Sequence, residues 1–144
     1  MSIFSSMQIN ASGLTLERLK MDTISTNIAN VNTTRTEEGG PYLRKEVVFE
    51  ENLRNEYSKV TGRMEKKSAG VKVIGIDQDE ENTEIIYNPT HPDADEEGYI
   101  QMSNVNMVDE MIALLNTQRS YEANVTALNT SKSLLKKALE ISKG

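Results

Sequence analysis

The chain has 144 residues, enough for one ordinary domain, with 37% apolar residues and a formal net charge of −6. It contains no cysteine, which excludes a disulfide framework and any thiol-ligated zinc or iron–sulfur centre. Residues 1–37 are neutral, residues 38–103 carry −7 and residues 104–144 carry +1; this argues against nucleic-acid binding, which needs a basic face, and for a solvated middle between two packing ends. No run approaches the roughly 18 apolar residues of a membrane helix, so no direct membrane insertion is expected. The N-terminus lacks the basic, apolar and small-residue pattern of a cleaved secretory signal, so export, if it occurs, is expected to keep the N-terminus.

The first predicted element is a helix over residues 3–31. Ile3, Met7, Leu14, Met21, Ile24, Ile28 and Val31 lie within one stripe, and Met7, Leu14, Met21 and Ile28 repeat by seven. Leu16 and Leu19 fall on other sides, which implies more than one packing surface. Ser5 or Ser6 is placed to cap the start. Gly13 has two readings: a tolerated weak position, or a place where a neighbouring backbone comes close. The run from Asn27 to Thr34 suits a helix end, and Arg35–Pro41 reads as a loop.

The middle reads as short strands and loops. Tyr42–Glu50, Gly70–Ile76, Thr83–Tyr87 and Tyr99–Met102 are strand candidates, whereas Glu51–Met64 is charged, weakly patterned and read as loop. Asp77–Asn82 reads as a polar turn.

From Asn104 to Ser142 there is neither glycine nor proline, and a helix is predicted over 106–141, about 54 Å long. Met107, Leu114, Tyr121, Leu128 and Leu135 recur every seven residues; Met111, Val125 and Leu139 form a second row, broken by Gln118 and Lys132. Asn104 or Asn106 is placed to cap it, with Asp109 and Glu110 favourable in its first turn. A strict period of seven calls for a partner helix. The fold expected is therefore mainly α: two long terminal helices paired as an antiparallel coiled coil, with a small β-rich or irregular middle domain. The segments are 1–34 for the N-terminal helix, 35–103 for the acidic middle and 104–144 for the C-terminal helix.

Candidate chemical sites are weak. His91 is the only histidine and stands in a loop sequence. Asp93-x-Asp95-x-Glu97-Gly98 resembles the first half of a calcium loop, but the twelfth position is Asn104, where a bidentate Glu is required, and Pro89 and Pro92 preclude an entering helix. No phosphate-binding glycine loop is present. No catalytic, metal or cofactor site is assigned.

Two stretches carry a family resemblance. Ser103–Asn124 (SNVNMVDEMIALLNTQRSYEAN) resembles the C-terminal signature of bacterial flagellar axial proteins of the rod and hook, and Ser12–Thr33 (SGLTLERLKMDTISTNIANVNT) resembles their N-terminal signature. Many such proteins continue with a Thr-Pro-Gly-Tyr turn, which this chain lacks. Asn32–Tyr42, Arg44–Phe49 and Asn88–Tyr99 are instead similar to FlgC-type proximal rod proteins, over residues 3–50 and 83–142.

The resemblance implies a structural, non-enzymatic subunit of the flagellar basal body. It would be exported through the flagellar type III apparatus and assemble with other rod proteins, further copies of itself and the rod–ring junction protein into a helical tube that transmits torque. The assembly seam is expected along Met7, Leu14, Met21, Ile24 and Ile28, and along Met107, Met111, Leu114, Tyr121, Val125, Leu128 and Leu135. Asn27, Asn30, Gln118, Arg119 and Asn124 are carried over as polar register contacts on the resemblance alone. The alternative is a self-contained coiled-coil adaptor or type III secretion chaperone whose seams close within a monomer or dimer.

Overall fold

A computed structural model describes residues 3–37, 39–57, 62–80 and 83–143. The element order is α1 (Ile3–Ala29), β1 (Lys45–Tyr57), β2 (Met64–Gln78), β3 (Glu84–Tyr87), β4 (Tyr99–Met102) and α2 (Met107–Lys143). Two terminal helices thus flank a small β region.

The helix ends are set by asparagines. At the end of α1 the backbone tightens, with Asn30 N reaching both Thr26 O and Asn27 O, and Thr33 N reaching Asn30 O. Asn30 Nδ2 also donates to Thr26 O, so its side chain satisfies one carbonyl of the last turn and the helix stops at Ala29. At the start of α2, Asn106 Oδ1 accepts from Val108 N at 2.9 Å and Asp109 N at 3.4 Å, which makes Asn106 the cap. Asn104 is occupied elsewhere, and Ser5 and Ser6 lie inside α1 rather than at its start.

The strands differ most from expectation. β1 continues through Tyr57 and β2 begins at Met64, so most of the stretch read as loop is extended chain. Charged residues are poor strand formers in a half-buried sheet but are tolerated on a solvent-facing ribbon, where pairing with the neighbour decides. β1 and β2 form one two-stranded sheet, and the short connection between them allows only an antiparallel hairpin. Residues 58–61, and residues 81–82 of the expected polar turn, lie outside the described residues; β2 itself runs on to Gln78. β3 and β4 pair antiparallel, with Ile86 opposite Ile100 and Tyr87 opposite Tyr99.

The chain packs as two compact units. One comprises Met1–Leu19, Val48–Gly75 and Thr117–Gly144. In it Leu16 is buried, and along β2 the residues Ala69, Val71, Val73 and Gly75 alternate as the covered face. A Cβ on Gly13 would lie 3.0 Å from Asn124 Nδ2. A neighbour does come close at Gly13, but it is the Asn124 side chain and not a backbone: glycine leaves the room that this amide fills.

The other unit comprises Lys20–Val47 and Ile76–Asn116. Its buried apolar residues are Tyr42, Val47, Ile100 and Val105, and they surround buried polar groups: Thr23, Asn27, Ser103 and Glu110.

Candidate functional site

The most buried row of α2 is polar. Glu110 and Thr117 are buried, and Asn124 and Ser131, at the same spacing of seven, are half-buried. The apolar row lies four residues further round: Leu114, Tyr121, Leu128 and Leu135 are half-buried, as is Val125, while Met107 and Met111 are 40% and 50% exposed. On α1, Met7, Leu14, Met21, Ile24 and Ile28 are all half-buried. The apolar heptads identified from periodicity are thus partly covered within the chain, and the tightest positions beside them on α2 are polar.

Glu110, at the start of this row, meets Asn27 of α1, which has no exposed surface. Asn27 Nδ2 donates to Lys45 O at 2.8 Å and to Glu110 Oε2 at 3.1 Å. Its Oδ1 accepts from Tyr42 O–H at 2.9 Å and from Lys45 N at 3.0 Å. A side-chain amide has two donor hydrogens and two acceptor lone pairs, and all four are used.

Glu110 is 1% exposed. Its second oxygen accepts from Arg44 Nε at 2.6 Å, a charge-assisted bond of the strong kind. Arg44 is itself fixed from the backbone: its N–H donates to Asn104 Oδ1, its carbonyl accepts from Asp79 N, and Asn104 Nδ2 donates to Asp79 O. The hydrogen bond to Glu110 holds the Arg44 guanidinium above its already high ordinary pKa, so Arg44 keeps its charge.

Burial, and then the Glu110 charge, push the Tyr42 phenol above its ordinary value. A raised folded-state pKa favours the neutral phenol. Its contribution to stability is complete below about pH 10, where unfolded tyrosine titrates, and is lost as pH rises through the higher folded value. We therefore expect the melting temperature to fall as pH rises above about 10, and the fall to be shallower in Tyr42→Phe. Tyr42→Phe also removes the bond to Asn27, at a cost of about 1 kcal/mol at neutral pH. Equal alkaline slopes in the two proteins would refute this assignment.

Every polar atom of this hub is satisfied by another protein atom, and among the described residues no buried side-chain nitrogen or oxygen lacks a partner. Such a cluster specifies one alignment of the elements that meet in it. Of the five expected register residues, Asn27 and Asn124 lie where α1 and α2 touch. Asn30 closes its own helix, Gln118 Nε2 donates to Glu122 on its own helix, and Arg119 is exposed.

The acidic turn resolves similarly. Asp93 accepts from Thr34 Oγ1 at 2.8 Å and stands 3.6 Å from Arg35, while Asp95 Oδ1 accepts from the N–H groups of Glu97 and Tyr99. His91 Nδ1 accepts from Asp93 N. These side chains build the turn from β3 to β4 and point to different partners rather than to one centre.

Sequence reasoning missed Tyr42, Arg44 and the buried role of Glu110. A signal for Glu110 was present: it stands seven residues before Thr117 and fourteen before Asn124, a polar period parallel to the apolar one. No local pattern marks Tyr42 or Arg44, because their partners are 15 and 66 residues away.

Comparison with known proteins places these helices in a family. A profile described as flagella basal body rod protein matches residues 7–35, and one described as flagellar basal body rod FlgEFG protein C-terminal matches residues 96–141. The chain is 41% identical to the flagellar basal-body rod protein FlgC of Borreliella burgdorferi, covering all of both chains. It is 43% identical to that of Bacillus subtilis, over 99% of this chain and 100% of the relative. It is 34% identical to that of an Escherichia coli O6:H1 strain, over 98% of each. The chain belongs to the FlgC family of flagellar basal-body rod proteins, structural proteins and not enzymes.

Proposed function

We propose that this chain is a proximal-rod subunit whose terminal helices pair antiparallel and leave an apolar face to be covered by neighbouring subunits. Two contacts support the pairing. Gly13 meets Asn124 and Asn27 meets Glu110, so a step of fourteen residues forward on α1 matches fourteen back on α2, as in an antiparallel pair. Residues 1–34 and 104–144 would then form the rod core, with 35–103 as an outward middle region. The partners are other rod proteins, further copies of the chain and the rod–ring junction protein. Delivery is through the flagellar type III apparatus. Contacts that repeat head to tail without closing give a tube.

The observation that carries this reading is the face of α2 away from the polar row. Val108, Met111, Ile112 and Leu115 recur at helical spacing and are 65%, 50%, 53% and 59% exposed. A stripe of this kind marks an interaction surface. Because these side chains are exposed, Ile112→Glu and Leu115→Glu should leave the helicity and melting temperature of the purified chain unchanged. Both should remove the chain from isolated basal bodies and abolish swimming. Normal motility in the double variant would overturn the proposal.

A further inference from the structure

The β3–β4 sheet carries an exposed aromatic face. Ile85 pairs with Gln101 and Tyr87 with Tyr99, so these four share one side, while Ile100, on the other, is buried. Ile85, Tyr87 and Tyr99 are 62%, 63% and 43% exposed. The two tyrosine rings meet edge to face with centroids 5.2 Å apart. Their arrangement is built from the turn below them. Gly98 has φ of +86°, and a Cβ on it would lie 2.9 Å from Tyr87 Cε2 and 3.1 Å from Pro89 Cβ, so glycine lets the Tyr87 ring rest against the turn. Tyr99 and Gln101 also line an adjoining cleft of about 450 Å³, whose walls include Thr34, Arg35, Asp93 and Asp95.

Charge beside this face is mostly negative. Residues 76–103 hold nine acids and neither Lys nor Arg. Arg35, in the wall of the cleft, stands 3.6 Å from Asp93. Asp95, Glu96 and Glu97 are exposed, lead through Gly98 into Tyr99, and have no ion-pair partner among the described residues.

We infer that this face and its cleft are a docking site for a Lys- or Arg-bearing segment of another protein. An ammonium or guanidinium group is attracted at once by a tyrosine face and by the carboxylates of residues 95–97. The aliphatic stems of the same side chains cover Ile85. Among the described residues no three acidic or histidine side chains converge, so the carboxylates suit several spread cations and not one metal ion. Charge also decides against a second copy. Each copy carries −6, so two copies meeting at an acidic face set like charges against each other, whereas a basic partner is drawn to it. The site belongs to the sheet and its turn, and does not depend on the helical contacts of the rod reading.

The isotope-labelled full chain, followed by NMR, is titrated with a short synthetic peptide of lysine and alanine around one leucine, and with its counterpart bearing glutamate for lysine. The lysine peptide should shift the amide signals of Ile85, Tyr87, Tyr99 and Gln101; the glutamate peptide should not. Two double variants separate docking from general attraction to an acidic chain. Tyr87→Leu with Tyr99→Leu keeps every charge and an apolar surface, and should weaken binding about tenfold. Glu96→Gln with Glu97→Gln keeps the rings, and should weaken binding about threefold and flatten its salt dependence. Both glutamates are exposed, so their replacement leaves the fold intact. No shift at the four amides, or unchanged affinity in either double variant, would overturn the docking site. Unlabelled chain added in place of the peptide is the remaining arm: shifts at the same four amides would make the occupant a second copy, and the assignment to another protein would fall.

Discussion

Asn27→Ala should be the most damaging single change in the unit built from Lys20–Val47 and Ile76–Asn116. The amide makes four hydrogen bonds and has no exposed surface. Alanine would leave the Tyr42 hydroxyl, both backbone groups of Lys45 and one oxygen of Glu110 short of a partner. An unsatisfied buried group costs about 1–3 kcal/mol. Water can enter the small void and recover part of this, so we expect a net loss of roughly 3–4 kcal/mol. Asn27→Asp separates shape from hydrogen bonding. It keeps the volume, but it replaces the donors facing Lys45 O and Glu110 with a second carboxylate. It should be at least as destabilising at neutral pH, and partly rescued in mild acid, where one of two adjacent carboxyls takes a proton and donates again. Asn30→Ala is the control: its side chain bonds only its own helix end, donating to Thr26 O and accepting from Thr33 Oγ1, and their loss should cost about 1 kcal/mol. Urea unfolding of the three variants measures all of this, and equal losses for Asn27→Ala and Asn30→Ala would show that the hub does not set the alignment of α1 and α2.

Much of this architecture is legible in the sequence, for a physical reason. A long helix repeats its environment every seven residues, so Met7, Leu14, Met21 and Ile28, or Leu114, Tyr121, Leu128 and Leu135, announce it from spacing alone. The ends are legible too, because capping is local: Asn106 bonds groups two and three residues away. What is illegible is whatever depends on distant partners. Asn27 was singled out only through resemblance, and its partners at Tyr42, Lys45 and Glu110 cannot be read from spacing along one helix. Glu110 looked like a dipole-favouring charge on the first turn of α2 and is instead an acceptor with 1% exposure. Glu51–Tyr57 looked like loop because a charged ribbon has no apolar alternation, and its extended form comes from pairing with β2. Apolar periodicity shows that a helix has a covered face, while the polar row beside it decides where on its partner that face comes to rest.

Gly70→Ala should unseat the β1–β2 hairpin from α1, and it is the largest effect expected in the unit holding Met1–Leu19 and Val48–Gly75. Gly70 is buried and has φ of +102°, a conformation that residues with a Cβ rarely adopt. A Cβ there would also collide with Ser12 Oγ and come within 3.3 Å of the Ile9 Cα, which belongs to the helix backbone and cannot swing away. Ser12 is not free to move either. Its hydroxyl donates to Ile9 O at 2.7 Å and accepts from Val71 N at 3.1 Å, so it joins the helix to the strand at this crossing. Backbone strain of about 1–3 kcal/mol and a lost, partly buried hydrogen bond of about 1–2 kcal/mol together make roughly 2–5 kcal/mol. Ser12→Ala provides the comparison: it removes the link but demands nothing of the backbone, and should cost only about 1 kcal/mol. Hydrogen exchange at the Val71 amide, read beside global unfolding, distinguishes local release of the hairpin from general destabilisation. Wild-type protection at Val71 in Gly70→Ala would mean that β2 does not need glycine to cross α1 at this point.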